Sequence, residues 1–244
     1  MRKSRKTITS INFKLNYCSK PRTFAEINRV TLVGTLISDA FTLQSGTKSL
    51  TVKTYDAETE KHDVHQVYTR GFESLKAGQR IYINGSLATT AFNLEDGKIR
   101  KQISVRAART FVLDDQIKSE NTPTNDDINQ VDIVANVCKA ATRMKNDSVV
   151  FQVATHFERN TDDGKMSSTN FISIQVFDEY LKEIAENLKT SDKVAIDGKI
   201  TRIPYIFPDG KKKYAGLILA KSIKKVQLRA QQVDDADIGH EANN

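Results

Sequence analysis

Asn28-Arg-Val-Thr-Leu-Val-Gly-Thr-Leu36 returns later in the chain as Asn129-Gln-Val-Asp-Ile-Val-Ala-Asn-Val137. Arg80-Ile-Tyr-Ile-Asn-Gly-Ser-Leu87 likewise returns as Lys193-Val-Ala-Ile-Asp-Gly-Lys-Ile200, at an offset of 113 residues. Asp96-Gly97-Lys98 and Asp209-Gly210-Lys211 keep that offset. Ala108-Arg-Thr-Phe111 against Ala220-Lys-Ser-Ile223 closes the series with one residue of slippage. Four blocks in the same order read as a tandem duplication. A chain of 244 residues has room for two domains of ordinary size.

Outward from these blocks, each copy reads as strands. In the first, Val30, Leu32 and Val33 open a strand, and Leu50–Tyr55 and Val64–Tyr68 supply two more. Arg80–Phe92 and Lys98–Leu113 then form a long hairpin about Glu95-Asp96-Gly97-Lys98, whose Asp-Gly pair suits a tight turn. The second copy repeats the order, with Pro208-Asp209-Gly210-Lys211 at its hairpin tip. It also holds a helix: from Asp178 as N-cap, Leu181, Ile184, Ala185 and Leu188 recur at helical spacing. The first copy keeps only Phe72 and Leu75 before Gly78, so its helix is expected to shrink to about one turn. Five strands with a helix between the third and fourth is the plan of an oligonucleotide-binding (OB) barrel. The expected fold is all-β: two tandem five-stranded OB-fold barrels, each with one short helix.

Charge divides the chain further. The net charge is +7, yet residues 1–23 carry seven basic groups and no acidic one. The remaining residues hold 30 basic and 30 acidic groups. The excess therefore belongs to the leader and says little about the folded body. This leader is rich in Arg, Lys, Ser and Thr, with Ile8, Ile11, Leu15 and Cys18 at helical spacing, and it resembles a mitochondrial presequence. Arg22, two residues before a cut after Thr23, suits that reading. The other reading is a basic arm of a bacterial protein that touches phosphates. The expected organisation is leader 1–23, OB fold 24–113, acidic linker 114–127, OB fold 128–229 and acidic tail 230–244. Cys18 and Cys138, far apart, make neither a disulfide framework nor a zinc cluster. No window of 18 consecutive apolar residues occurs, so no membrane span is expected.

The third strand of the second copy, Phe171-Ile-Ser-Ile-Gln-Val-Phe177, carries the functional signal. Period-two alternation sends Ile172, Ile174 and Val176 to the core and Phe171, Ser173, Gln175 and Phe177 to the other face. Two phenylalanines on a half-polar face suit stacking on unpaired bases; packing against a partner subunit or the helix is the alternative. Tyr205 and Phe207 followed by Lys211, Lys212 and Lys213 set aromatics beside positive charge. No P-loop, G-x-S-x-G or carboxylate pair on a recognisable scaffold is present, so no catalytic residue and no cofactor are expected. His62 and His65, three apart in a strand, point to opposite faces and are not expected to bind metal. Glu179, Glu183 and Glu186 read as a solvated helix face, and Cys138 as a core thiol at the end of an apolar strand.

Asn28–Leu36, Arg80–Leu87 and Thr169–Phe177 resemble the signature strands of bacterial and mitochondrial single-stranded-DNA-binding proteins, over residues 27–113 and 128–226. That resemblance implies sequence-independent binding and protection of single-stranded DNA in replication or repair. It also implies four OB folds per assembly, hence a homodimer of this chain, with replication or repair proteins as further partners. On the matching positions it implies base stacking by Phe171, Phe177 and Tyr205, with Phe157 close to a fourth. In the first copy the matches are Val64, Arg70 and Phe92, with Tyr55 near the fourth and Tyr68 on the same face. Phosphate contacts fall to Lys53, Arg70, Arg159, Arg202, Lys211, Lys212 and Lys213. The family commonly stacks bases on tryptophan, and this chain has none. Two stacking positions of the first copy have lost their ring, which points to the second copy as the principal binder. The tail lacks the short apolar tip of bacterial members, which favours a mitochondrial matrix or nucleoid location over a bacterial cytoplasm. Stacking and phosphate contacts do not separate RNA from DNA. An OB-fold assembly or RNA-binding subunit of an RNA-processing or replication complex, its first fold docking a protein, is the alternative function.

Overall fold

The computed structural model describes residues 26–71, 74–93, 99–114, 126–161, 164–206 and 212–226. Side chains are described for all of these except 91–93, 99–101, 114, 158–161, 164–166, 203–206 and 212–215. The leader 1–23 and the tail 230–244 lie outside the described residues, as do Lys211 and both expected hairpin tips.

The strands follow the alternation of the sequence. The first copy contributes β1 (Ile27–Leu36), β2 (Phe41–Thr42), β3 (Lys48–Asp56), β4 (Lys61–Thr69), β5 (Arg80–Asn93) and β6 (Ile99–Asp114). The second contributes β7 (Ile128–Arg143), β8 (Val149–Thr161), β9 (Gly164–Val176), α1 (Glu179–Glu186), β10 (Lys193–Ile206) and β11 (Lys212–Lys225). β1, β3, β4, β6 and β5 close into one barrel, with β1–β3 antiparallel and β4–β6 parallel. β7, β8, β9, β11 and β10 close the second in the same order, with β9–β11 parallel. This is the OB plan, built twice. Leu32, Leu50, Ile81 and Ile83 fill the first barrel, and Ile133, Phe151, Ile172, Ile174 and Ile218 the second.

The repeated Asn-Gly and Asp-Gly of the second block are bulges rather than turns. Register shifts fall between Asn84 and Gly85, and between Asp197 and Gly198. A Cβ on Gly85 would lie 2.2 Å from the Arg106 carbonyl oxygen, and one on Gly198 would lie 2.4 Å from that of Leu219. Only glycine admits such an approach of backbones. The repeated asparagines answer these bulges. Asn28 donates through Nδ2 to the Leu87 carbonyl at 3.0 Å and accepts from the Leu87 N–H at 2.9 Å. Asn129 makes the same pair of bonds with Ile200, at 2.8 and 3.0 Å.

The two barrels are joined by strand pairing. β1 runs antiparallel to β7, and the equivalent residues Val30 and Val131 stand opposite each other. A local two-fold axis therefore passes between them. The outer face of the resulting six-stranded sheet carries Tyr82 and Phe111, rings 5.9 Å apart, beside exposed Leu113 and Ile128. At the equivalent register of the second copy stand Ala195 and Lys224.

Three expectations need correction. The first copy has no helix among its described residues: 74–76 are irregular and 77–78 turn. Gly78 takes φ +84°, outside the helical region, Leu75 is still buried, and Phe72 lies outside the described residues. The acidic stretch before β7 is not solvated throughout, because Asp127 docks into the first barrel. Its Oδ1 lies 2.7 Å from Arg80 Nη1, both side chains being almost fully buried, and its Oδ2 accepts from the Tyr55 N–H at 2.8 Å. Cys138 is half-buried and sits at a register irregularity within β7, which continues to Arg143.

The second-copy helix forms as its pattern requires. Asp178 caps it by accepting from the Leu181 N–H at 3.0 Å, and Leu181, Ala185 and Leu188 are buried. Glu179 and Glu186 are exposed but paired, with Lys182 at 2.8 Å and Arg143 at 3.0 Å.

Candidate nucleic-acid interface

Period two lays out the open face of the β3–β4 hairpin. Leu50, Val52, Thr54, His65 and Val67 turn inward and are buried. Tyr55 and His62, Lys53 and Val64, Thr51 and Gln66, and Ser49 and Tyr68 are the cross-strand pairs of the outer face. The Tyr55 and His62 rings lie 5.1 Å apart. Tyr68 stands beside Arg106 in the parallel β4–β6 register, and Arg70 follows, exposed. Rings and cations alternate along one half-polar face.

The second copy completes this site. Phe157 reaches across so that its ring lies 5.5 Å from the Arg106 guanidinium, within range of a cation–π contact. Tyr68, Arg70, Arg106 and Phe157, with Thr47 and Thr90, line a groove of about 470 Å³. Three residues expected from the sequence are thus brought together, from both copies. Arg106 was missed. Alternation along β6 turns it outward, but nothing local says that a ring from the other copy meets it.

The remaining expected residues are distributed. Tyr55 and Lys53 lie farther along the same outer face. Phe171 and Phe177 are exposed on the second copy, 38% and 49%, and six residues of strand separate them by about 20 Å. Between them, Ser173 accepts from Gln152 Nε2 at 3.2 Å. Gln175, expected on the open face, is buried and donates to Ser148 Oγ at 2.8 Å. A polar group withdrawn from water needs such a partner. Phe92, Arg159, Tyr205, Lys212 and Lys213 are placed on strands, but their side chains lie outside the described set.

Arg202 faces a different environment. β10 packs its polar residues against β3 and β4 of the first copy, where Lys199 pairs with Asp56 and Thr201 Oγ1 donates to Asp63 Oδ1 at 3.3 Å. Lys221 lies 3.7 Å from Glu58 on the same flank. Burial pushes the Asp63 carboxyl up, against the Thr201 hydrogen bond and the charges of Lys199 and Arg202. His65 is buried beside them, its Nε2 2.8 Å from Thr54 Oγ1 and its Nδ1 without a hydrogen-bond partner. Burial, with the Arg202 charge added, brings its pKa down to about 3. His62 and His65 do point to opposite faces, and among the described residues no group of three or more His, Cys, Asp or Glu side chains could hold a metal ion.

Residues 128–226, the whole second barrel, match the single-strand binding protein family. The second OB unit is similar to that family. Among solved structures, the chain is similar to the single-stranded DNA binding protein from Thermus aquaticus: 18% identity, TM-score 0.56, covering 85% of this chain and 96% of that one. A deletion mutant of that protein gives 17%, 0.58, 86% and 98%. At this identity the likeness speaks for the fold, and it extends over both barrels. No curated protein matches the chain significantly. No helix among the described residues is long and apolar enough to cross a membrane.

Proposed function

We propose that the chain is a non-enzymatic, sequence-tolerant single-stranded DNA binder. The observation that carries this reading is the alternation of rings and cations on an open OB face, Tyr55, Lys53, Tyr68, Arg70 and Arg106, on a scaffold whose second unit is similar to the single-strand binding protein family. Rings stack on any base, and guanidinium and ammonium groups follow the phosphates, so such a surface tolerates sequence. Phe171 and Phe177 extend the contact onto the second barrel, as Tyr205 and Lys211–Lys213 would. Replication or repair is the setting in which single strands need protection, with the mitochondrial matrix or nucleoid as the place favoured by the leader's composition.

The patch of exposed Phe111 and Leu113 beside half-buried Tyr82 supports a homodimer presenting four OB folds, since an apolar sheet face of this kind is stabilised by a partner. It equally supports the second reading, an assembly subunit whose first fold docks another protein. Sedimentation of the purified chain separates them: a homodimer carries the first reading, a monomer the second.

Binding of labelled oligo-dT and oligo-U across salt tests the ligand. The double variant Phe171→Ala/Phe177→Ala is expected to lose affinity at least tenfold, from stacking worth roughly 1–3 kcal/mol per base. Arg70→Ala should give a shallower salt slope. Unchanged affinity in the double variant would favour the assembly reading. Removal of residues 1–23 leaves affinity unaltered if they are a presequence and flattens the salt slope if they are a binding arm. Preference for oligo-U over oligo-dT would reassign the ligand to RNA.

A further inference from the structure

The local two-fold axis makes the two flanks of the barrel junction equivalent by fold, and the side chains on them have diverged. On one flank β5 and β6 of the first copy meet β9 and β8 of the second. Here Arg106 covers Phe157, the Thr89 N–H donates to Asn170 Oδ1 at 3.1 Å, and the groove stays open. On the other flank β10 and β11 of the second copy meet β3 and β4 of the first. The strand registers identify the counterparts. Asp56 stands where the second copy has Phe157, and Asp63 where it has Asn170. Gln175 and Leu219 stand where the first copy has Tyr68 and Arg106.

Arg70 is matched by Phe177, which is exposed, and the other substitutions run one way. The open flank has two rings and two arginines. Its counterpart has a buried glutamine, a leucine, and the carboxylates of Asp56, Glu58 and Asp63, engaged by Lys199, Lys221 and Thr201. A phosphate approaching there would meet carboxylates whose neighbouring cations are already paired, and Gln175 and Leu219 replace the ring and the arginine beside which a base would lie. At the open flank a base can stack on Tyr68 or Phe157 while its phosphate meets Arg70 and Arg106. The groove has the volume of an ordinary small-molecule site, which spans roughly 300–1,000 Å³. We propose that this junction is a composite nucleotide subsite built from both copies, and that a single strand crosses between the barrels on this flank alone. The proposal rests on the single-strand-binding reading above. It gives the duplication a use beyond doubling the site: each copy supplies half of a subsite that neither holds by itself.

Because the chain has no tryptophan, one introduced indole reports on one flank. Phe157→Trp keeps a ring in the groove, and Glu58→Trp places one on the exposed rim of the sealed flank. The full chain is titrated with oligo-dT long enough to cover both barrels, while anisotropy of a labelled oligo-dT measures binding independently. Quenching is expected at Phe157→Trp and absent at Glu58→Trp. Arg106→Met removes a phosphate contact and is expected to weaken oligo-dT binding at low salt and to make its salt dependence shallower. Equal quenching on both flanks, quenching at Glu58→Trp alone, or tight binding with an unquenched Phe157→Trp would overturn the subsite and leave the single-strand reading intact. If the wild-type chain binds no oligo-dT at low salt, the single-strand reading itself fails, and the subsite with it.

Discussion

Ile103 stands where a side chain on Gly216 would have to go: a Cβ built on Gly216 would lie 3.1 Å from the Ile103 Cβ. The two residues are equivalent in the repeat and meet near the local two-fold axis. Two isoleucines there would collide, and two glycines would leave a void. The junction works because one copy supplies bulk and the other space.

Gly216→Val should therefore lower stability by roughly 1–3 kcal/mol, the usual consequence of overpacking. Adding Ile103→Ala should recover part of it. In a double-mutant cycle followed by urea unfolding, the coupling should reach about 1 kcal/mol. Strict additivity would mean that the two residues do not share the space.

Asn28 and Asn129 hold equivalent bulges through identical bonds. Asn→Ala at either site leaves a backbone N–H and a C=O without their partner and should lower stability by about 1–3 kcal/mol. Denaturant melts should give similar losses at both positions. A large loss at one and none at the other would show that the bonds are not equivalent in energy.

Arg80 and Asp127 form a nearly buried pair between the first barrel and the segment leading into β7. Asp127→Ala strands the guanidinium and should be strongly destabilising, on the order of 3 kcal/mol. Replacing both residues, as Arg80→Met/Asp127→Leu, should be milder than Asp127→Ala alone. Thermal unfolding of the two variants measures the order, and the reverse order would show that the guanidinium left alone costs little.

His65 makes stability depend on pH. Its pKa in the fold is about 3, against 6.5 for the free side chain. Below pH 6.5 the unfolded chain binds a proton that the native chain refuses, so stability falls as pH drops towards 3. The slope from this group is about 1.4 kcal/mol per pH unit. Urea midpoints at pH 7 and pH 4.5 should converge in a Thr54→Val/His65→Leu variant, which removes the titrating ring and its hydroxyl partner together. An unchanged difference between the two pH values would place the sensitivity elsewhere.

The strands, the two-fold repetition and the helix of the second copy were legible because each rests on local periodicity. Leu181, Ala185 and Leu188 recur at helical spacing and are buried together. Val30 and Leu32 alternate with polar residues and face a core. Lost detail had non-local causes. Gln175 reads as an outward residue by alternation, and only Ser148, from the preceding hairpin, keeps it inside. Phe157 reads as a second-copy residue, and only the β1–β7 pairing carries it to the first copy's groove.

By itself the sequence determined two OB barrels, their strand order and the residue types suited to unpaired bases, because the alternation of side chains along a strand is a property of the chain alone. The tertiary structure decided how the barrels meet, which flank of their junction is sealed by carboxylates, and that Tyr68, Arg70, Arg106 and Phe157 share one groove. Those facts depend on strand register across the Val30–Val131 axis, which joins residues far apart in sequence and leaves no local mark.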